Sequence, residues 1–131
     1  MRSDRGQALV ELAITLPLVL SLIASVLLVT EIGVTRLALE HGAAEAARTG
    51  ALTNDDALVR ATAGAAVTPL DPARVSVTIN PPGNRPPRTS SPRGSLLRVV
   101  LRYPVAIPLG FAGVPRIVVE GAAARRIEWS P

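Results

Sequence analysis

A single carboxylate at the start of a long uncharged segment has the clearest chemical requirement in this chain. Glu11 directly precedes nineteen uncharged residues that run from Leu12 to Thr30. A charged side chain at the middle of a membrane helix costs about 2.5–3.5 kcal/mol on insertion scales, and such residues commonly have a function. Glu11 therefore predicts either a cationic partner or, alternatively, a side chain that extends to the membrane interface beside Arg5.

Residues that carry out catalysis or bind metals are scarce in the sequence. The chain has one histidine, His41, and no cysteine, and it shows no nucleophile motif, phosphate-binding loop or metal-ligand cluster. The adjacent acids Asp55 and Asp56 are explained by the start of a helix. We therefore expect a protein that is not an enzyme and that needs no cofactor or metal.

The uncharged segment that follows Glu11 has the length of one membrane crossing. Nineteen residues in a helix span about 28 Å, against a hydrocarbon core of about 30 Å. Arg2 and Arg5 precede the segment, and acidic residues outnumber basic ones just after it, which predicts a cytoplasmic N-terminus. The sequence thus predicts a single-pass protein of the plasma (inner) membrane with its C-terminal part periplasmic or extracellular. Pro17 lies inside the helix and predicts a kink, although proline is common in membrane helices.

Two other interpretations of this N-terminus remain open. A secretory signal peptide has an apolar region of about 7–15 residues and a small-x-small cleavage site. In this chain the run is longer and leads into Glu31-Ile32-Gly33-Val34. A plain membrane anchor that carries an unrelated binding module would need no cleavage at all.

The N-terminal residues resemble a known family. Gly6, four further residues and then Glu11, at the head of an apolar helix, are similar to the processing site of type IV prepilins. The stretch RGQALVELAITLPLVL and the later ALEHGAAEAARTGA resemble the N-terminal domain of the TadE/TadG-like family, which are pseudopilins of the tight-adherence pilus. The resemblance covers about residues 5–51 and includes Pro17 and the alanine-rich run that ends at Arg48.

The resemblance implies a function and a set of partners. A prepilin peptidase would cut between Gly6 and Gln7, and Glu11 would pair with the new amino group of a neighbouring subunit. The protein would be a minor pilin-like subunit or assembly factor of a tight-adherence pilus or secretion system. Its partners would be the membrane, the peptidase, other pilin-like subunits and the assembly machinery.

The rest of the chain predicts an α+β fold. Helix-forming residues continue past the membrane to about Gly50, with an apolar face through Val34, Leu37, Ala38 and Ala44. A short helix from Ala57 to about Val67 follows, capped by the segment Thr53 to Asp56. Three strands are predicted to form a small antiparallel sheet: Arg74 to Ile79, Leu96 to Tyr103, and Arg116 towards Ile127.

The predicted organisation has three parts. Residues 1–6 form a cytoplasmic leader, residues 7–52 the transmembrane helix and stalk, and residues 53–131 an extracytoplasmic α+β domain. Within this domain residues 80–95 contain five prolines and two glycines and predict an exposed loop. Pro104, Pro108 and Pro115 predict a turn-rich crossover between the last two strands. The outer part has a size at which a core is marginal, so we expect it to lean on the stalk or on partner subunits.

The basic charge of the chain does not predict nucleic-acid binding. The net charge is +4, and Arg85, Arg88 and Arg93 lie in the proline-rich loop. However, the only aromatic residues are Tyr103, Phe111 and Trp129, so the stacking platforms that single strands need are missing. We expect these arginines to form a solvated face and expect no nucleic-acid partner.

Overall fold

The structure, a computed structural model, describes residues 2–83, 93–107, 113 and 116–129. Helix α1 (Arg2–Thr53) is followed by helix α2 (Asp56–Ala66) and by a short 3-10 turn at Pro72–Arg74. Three strands then follow: β1 (Ser76–Asn80), β2 (Leu96–Ala106) and β3 (Arg116–Arg126). They form one antiparallel sheet in the order β1-β2-β3, which confirms the predicted α+β class.

Helix α1 is one continuous element of 52 residues, which corresponds to a length of roughly 78 Å. It ends because Asn54 adopts a left-handed conformation with φ of 51°, which asparagine tolerates better than most residues. The Asn54 amide donates to the carbonyl of Gly50 at 2.9 Å and caps the last turn. The prediction that Gly50 stops the helix is wrong by three residues: Gly50 is a buried residue inside the helix, and the left-handed residue that ends the helix is Asn54.

Helix α2 forms where the capping residues predict it. The Asp55 carboxylate accepts hydrogen bonds from the amides of Ala57 at 2.8 Å and Leu58 at 3.4 Å, and these are two donors that the first turn leaves unsatisfied. Val59 and Ala63 form the buried face of α2. The helix turns the chain back along α1 so that the sheet can follow.

The strands agree with the predicted segments, with one correction. Strand β2 continues through Pro104 to Ala106, so the prediction of a turn at Pro104 is wrong. Strand β1 pairs with β2 only as far as Ser76 opposite Arg102. Beyond that point β2 is an edge strand in the described sheet, where the missing proline amide is tolerated. Pro108, Pro115 and residues 84–92 of the predicted loop lie outside the described residues.

The face that α1 turns towards the sheet differs from the predicted one. Val34, Leu37 and Ala44 are exposed, and only Ala38 of the predicted face is buried. The buried stripe recurs every three or four residues and consists almost entirely of small side chains: Thr35, Ala38, Leu39, Gly42, Ala43, Ala46, Ala47, Gly50 and Ala51. Leu39 is the one large member and is fully buried. At the glycine positions the approach is close, because an added Cβ at Gly42 would meet Val67 and Leu101, and one at Gly50 would meet Leu97 and Val59.

One core unites the distal part of α1 with α2 and the sheet. Leu39 and Ala47 of α1 cluster with Val59 of α2 and with Leu97 and Leu101 of β2. The outer part of the chain therefore packs against the distal part of α1, as expected for a segment whose own core is marginal. The proposed boundary between residues 52 and 53 stays a prediction.

The outer domain has a defined orientation along α1. Strand β2 runs back along the helix, because Leu97 lies against Gly50 and Leu101 against Gly42, while Tyr103 shares a groove with residues 27–35. At the other end, the amides of Glu128 and Trp129 donate to the carbonyl of Ala51 at 2.9 and 3.1 Å. We call the end beside residues 27–35 the base of the outer domain, and the end beside Ala51 its top.

Candidate functional site

The predicted processing residues Gly6 and Gln7 lie in the second turn of α1, where both are exposed. The space around Gly6 is open, since an added Cβ would meet no described atom within 4 Å. The bond between them lies inside a helix, so a peptidase that binds an extended chain must first unwind this end. Glycine makes that step easier, because it is about 1 kcal/mol less favourable than alanine in a helix.

Gln7 and Glu11 lie one helical turn apart on the same face of α1. Residues four apart in a helix have neighbouring side chains, and their backbones are separated by a rise of about 6 Å. A new amino group at Gln7 would therefore start on the face that carries the Glu11 carboxylate. It could pair with that carboxylate or with the same group of a neighbouring chain.

The Glu11 side chain is exposed on the isolated chain. Among the side chains and amides that the structure describes from Gly6 onwards, none binds its carboxylate, and its backbone carbonyl accepts a hydrogen bond from the Thr15 hydroxyl at 2.7 Å. A cationic partner of Glu11 is therefore not found among these groups. The pairing role and the interfacial role of Glu11 both stay predictions.

The hydroxyl groups of the apolar run are compatible with a lipid environment. The run has four of them, and each donates to the carbonyl one turn earlier, at 2.7–2.9 Å: Thr15, Ser21, Ser25 and Thr30. An unsatisfied polar group in hydrocarbon costs several kcal/mol. These bonds therefore remove the main penalty that the hydroxyls would bring to a membrane helix.

The remaining part of the run is suited to contact with lipid. From Gly6 to Thr30 all residues are exposed except Ala24 and Leu28, which are half-buried. The segment is long and apolar enough to cross a membrane, and its most apolar window is not buried inside the fold. It fits a single-pass membrane anchor. Helix α1 continues through Pro17, and the predicted kink there stays a prediction.

His41 and the paired acids occupy ordinary positions. His41 is exposed on α1, and Asp55 caps α2. Within the described ranges no group of three or more histidine, cysteine, aspartate or glutamate side chains is placed to hold a metal ion. Of the loop arginines, Arg93 is described and exposed. The expectations about enzyme activity, cofactors and nucleic acid stay predictions.

Sequence reasoning missed a groove at the base of the outer domain. It has a volume of about 440 Å³ and lies between residues 27–35 of α1 and the residues Pro69, Leu70 and Tyr103. The exposed apolar residue Val34, which the sequence assigned to a buried face, forms part of its wall. Only the position of Tyr103 as an isolated aromatic could have indicated it, and that signal is weak.

Fold and site together define a protein with one apolar helix that could anchor it in a membrane, in which the distal part of this helix enters the core of a small α+β domain. Residues 6–48 match the model of the TadE-like protein family. The match begins at Gly6 and ends at Arg48, and over these residues it confirms the predicted resemblance to the TadE/TadG-like family. It indicates a pilin-like protein associated with the membrane and with the tight-adherence pilus machinery. No curated protein and no solved structure matches this chain.

Proposed function

We propose that the protein is a minor pilin-like subunit or assembly factor of a tight-adherence pilus or secretion system. The observation that carries this proposal is the TadE-like match over residues 6–48. It begins at the glycine of the expected cleavage site and contains the whole exposed apolar run of α1. The exposed helix supplies a surface for contacts with other subunits, and the α+β domain remains outside the membrane.

The proposed sequence of events starts with insertion. The chain enters the inner membrane with Arg2 and Arg5 in the cytoplasm. A prepilin peptidase then hydrolyses the peptide bond between Gly6 and Gln7: water adds to the Gly6 carbonyl, and the products are the Gly6 carboxylate and the Gln7 amine. Removal of residues 1–6 takes both arginines away and leaves a positive amine within one helical turn of Glu11.

In the assembled state we propose that Glu11 acts through charge pairing. Moving an uncompensated carboxylate into hydrocarbon is expensive, whereas a paired and hydrogen-bonded carboxylate is tolerated. The helix therefore gains stability when the Gln7 amine of a neighbouring subunit lies beside Glu11. The position of this pair along the helix would determine the axial register between two subunits.

The mass of the mature protein tests the processing step. The full chain is expressed in membranes with and without an active prepilin peptidase, extracted, and measured intact by mass spectrometry. We expect loss of residues 1–6 only with the active peptidase. Gly6→Leu should prevent this loss, because a bulky side chain at the cut site blocks an extended backbone. Gly33→Leu is the matched control, since Gly33 is also an exposed helical glycine with open space around it.

Two other results would overturn the processing proposal. Retention of residues 1–6 in the presence of the peptidase would support an unprocessed single-pass anchor that carries an extracytoplasmic binding module. Loss of about thirty residues would indicate a secretory signal peptide.

A further inference from the structure

The base of the outer domain presents an open apolar surface beside α1. The groove of about 440 Å³ between residues 27–35 and Pro69, Leu70 and Tyr103 is joined by a second groove of about 240 Å³. The two share Val34 and Pro69, and the second continues along α1 to His41. This surface lies on the outside of the folded core, and no described residue fills it.

The groove lies beside the part of α1 where the apolar run ends. Leu27 and Thr30 belong to the run and line the groove together with Tyr103. Val34 lies about 6 Å further along the helix. The headgroup layer on each side of a bilayer is about 5–8 Å thick. If α1 crosses a bilayer as proposed above, the groove therefore lies at the level of the outer headgroups.

The side chains at the base are those that favour a membrane interface. The Arg74 guanidinium lies 4.9 Å from the centre of the Tyr103 ring, and it donates to the Tyr103 hydroxyl at 3.2 Å and to the Pro104 carbonyl at 3.0 Å. Tyrosine rings are enriched at the headgroup level, where an apolar body and a polar end are both solvated. Arginine buries its aliphatic part and keeps its charge in water.

Strand β3 adds further apolar residues at the same end. Its exposed large apolar side chains, Ile117 and Val118, lie within its first three residues, opposite Val105 and Pro104 of β2. The other end of β3 carries Arg125 and Arg126. The base end of β3 therefore carries Arg116 and two exposed apolar side chains, whereas the top end carries two arginines and no exposed large apolar side chain.

We propose that the base of the outer domain is a membrane-binding surface that lies on the outer headgroup layer of the bilayer which α1 crosses. This inference rests on the proposed membrane insertion. Lipid is the occupant because the groove is continuous with the apolar face of α1, which lipid already covers up to Thr30. Glu31 lines the groove, and Arg74 and Arg116 lie at the same end of the domain. Because charges of both signs are present there, the proposed contact rests on apolar burial and not on attraction to charged lipid.

The chain contains a single tryptophan, which makes depth measurements in lipid straightforward. The full-length protein is reconstituted into vesicles of phosphatidylethanolamine and phosphatidylglycerol whose acyl chains are brominated close to the headgroup, because bromine quenches tryptophan emission at short range. Native Trp129 is the control for the top, since its amide binds the Ala51 carbonyl, about 32 Å above Thr30 along α1. Two reporters for the base, Tyr103→Trp and Leu70→Trp, are placed in a Trp129→Phe background, as is Leu18→Trp.

The reporters lie at three levels, the apolar run, the base and the top, and these levels separate this inference from the proposed membrane insertion. Leu18→Trp lies in the apolar run and must be quenched if α1 crosses the bilayer, so its failure would overturn the membrane insertion itself. We expect the base reporters to lose emission in brominated vesicles, because aromatic residues at the base would lie at the headgroup level, and we expect no loss for Trp129. Circular dichroism shows whether each variant folds. If Tyr103→Trp does not fold, the Leu70→Trp variant is used as the reporter for the base.

Two outcomes would overturn the membrane-binding surface while membrane insertion stands. In the first, Leu18→Trp is quenched but the base reporters respond no more than Trp129. In the second, the base reporters are shielded from iodide in the aqueous phase but are not quenched by brominated lipid, which would show that a second copy or another protein covers the groove.

Discussion

Gly121 of β3 lies directly against the backbone of Leu39 in α1. A Cβ atom at position 121 would stand 2.6 Å from the Leu39 carbonyl carbon and 2.6 Å from the Glu40 amide nitrogen. A clash with backbone cannot be relieved by rotation of a side chain. The sheet and the long helix therefore meet backbone to backbone at this point, and the small-residue stripe of α1 extends this close approach along the helix.

The first prediction concerns this contact. Gly121→Ala should lower the free energy of unfolding by about 1–3 kcal/mol, because the added methyl group forces helix and sheet apart. The measurement is guanidinium unfolding of the full-length protein in detergent, followed by the fluorescence of Trp129, which packs against the core. Gly33→Ala is the matched control, since it adds the same methyl group in open space. Equal effects of the two substitutions would show that Gly121 does not hold the sheet close to α1.

The second prediction identifies the face of α1 that enters the core. Ala47 is fully buried, whereas Ala44 is exposed on the same helix. Ala47→Leu should destabilise the protein by about 1–3 kcal/mol through overpacking, while Ala44→Leu should change the stability by no more than about 0.5 kcal/mol. The unfolding midpoints of the two variants decide the question. If Ala44→Leu destabilised the protein more than Ala47→Leu, the buried face of α1 would be the one predicted from hydrophobic periodicity.

The third prediction concerns the start of α2. Asp55→Ala removes the acceptor of two amide hydrogen bonds and should lower the free energy of unfolding by about 1 kcal/mol. Asp55→Asn should largely preserve stability, because the amide oxygen is also an effective cap. Hydrogen exchange of the Ala57 and Leu58 amides gives a local readout. Unchanged exchange in Asp55→Ala would show that the carboxylate does not protect these amides.

The fourth prediction concerns Glu11. Glu11→Gln and Glu11→Leu should insert into the membrane at least as well as the native chain, since each removes a charge that opposes burial. Both should nevertheless reduce incorporation into the assembled apparatus, because the partner amine of a neighbouring subunit is left unpaired. Quantitative immunoblotting of membrane and assembled fractions measures the two effects. Glu128→Gln is the control, as it removes an exposed acid at the top of the outer domain, away from the apolar run. Native-like assembly of both Glu11 variants would refute a role in register.

The long apolar helix and the starts of α2 and β1 were predictable from the sequence, because each depends on residues close together in the chain. An uninterrupted run of nineteen uncharged residues predicts a helix long enough to cross a membrane, and this depends only on local length and hydrophobicity. Asp55 supplies its own capping oxygen to α2, and period-two alternation marks β1 within two residues of its observed start. The resemblance to the TadE/TadG-like family was also visible in the sequence, because Gly6 and Glu11 stand at fixed positions before the run.

The buried face of α1 and the path of β2 were not predictable, because they depend on distant residues. Val34 and Leu37 are more hydrophobic than the alanines of the stripe, yet they are exposed, since the sheet packs against the other side of α1, where Gly121 meets the Leu39 backbone. Pro104 was expected to break the strand and is tolerated only because β1 has already ended opposite Arg102. The groove at the base arises from residues far apart in the chain, and no local pattern marks it.

By itself the sequence determined a single apolar helix with an acid at its head, a cleavage-site resemblance at Gly6, and three strands after a short helix. These features follow from hydrophobicity, charge and backbone preference, which act over a few residues at a time. Only the tertiary structure decided which side of α1 the sheet covers, that Gly121 must be glycine, and that Tyr103 lies beside the end of the apolar run. Those outcomes depend on how closely two surfaces approach, and that distance is a property of the whole fold.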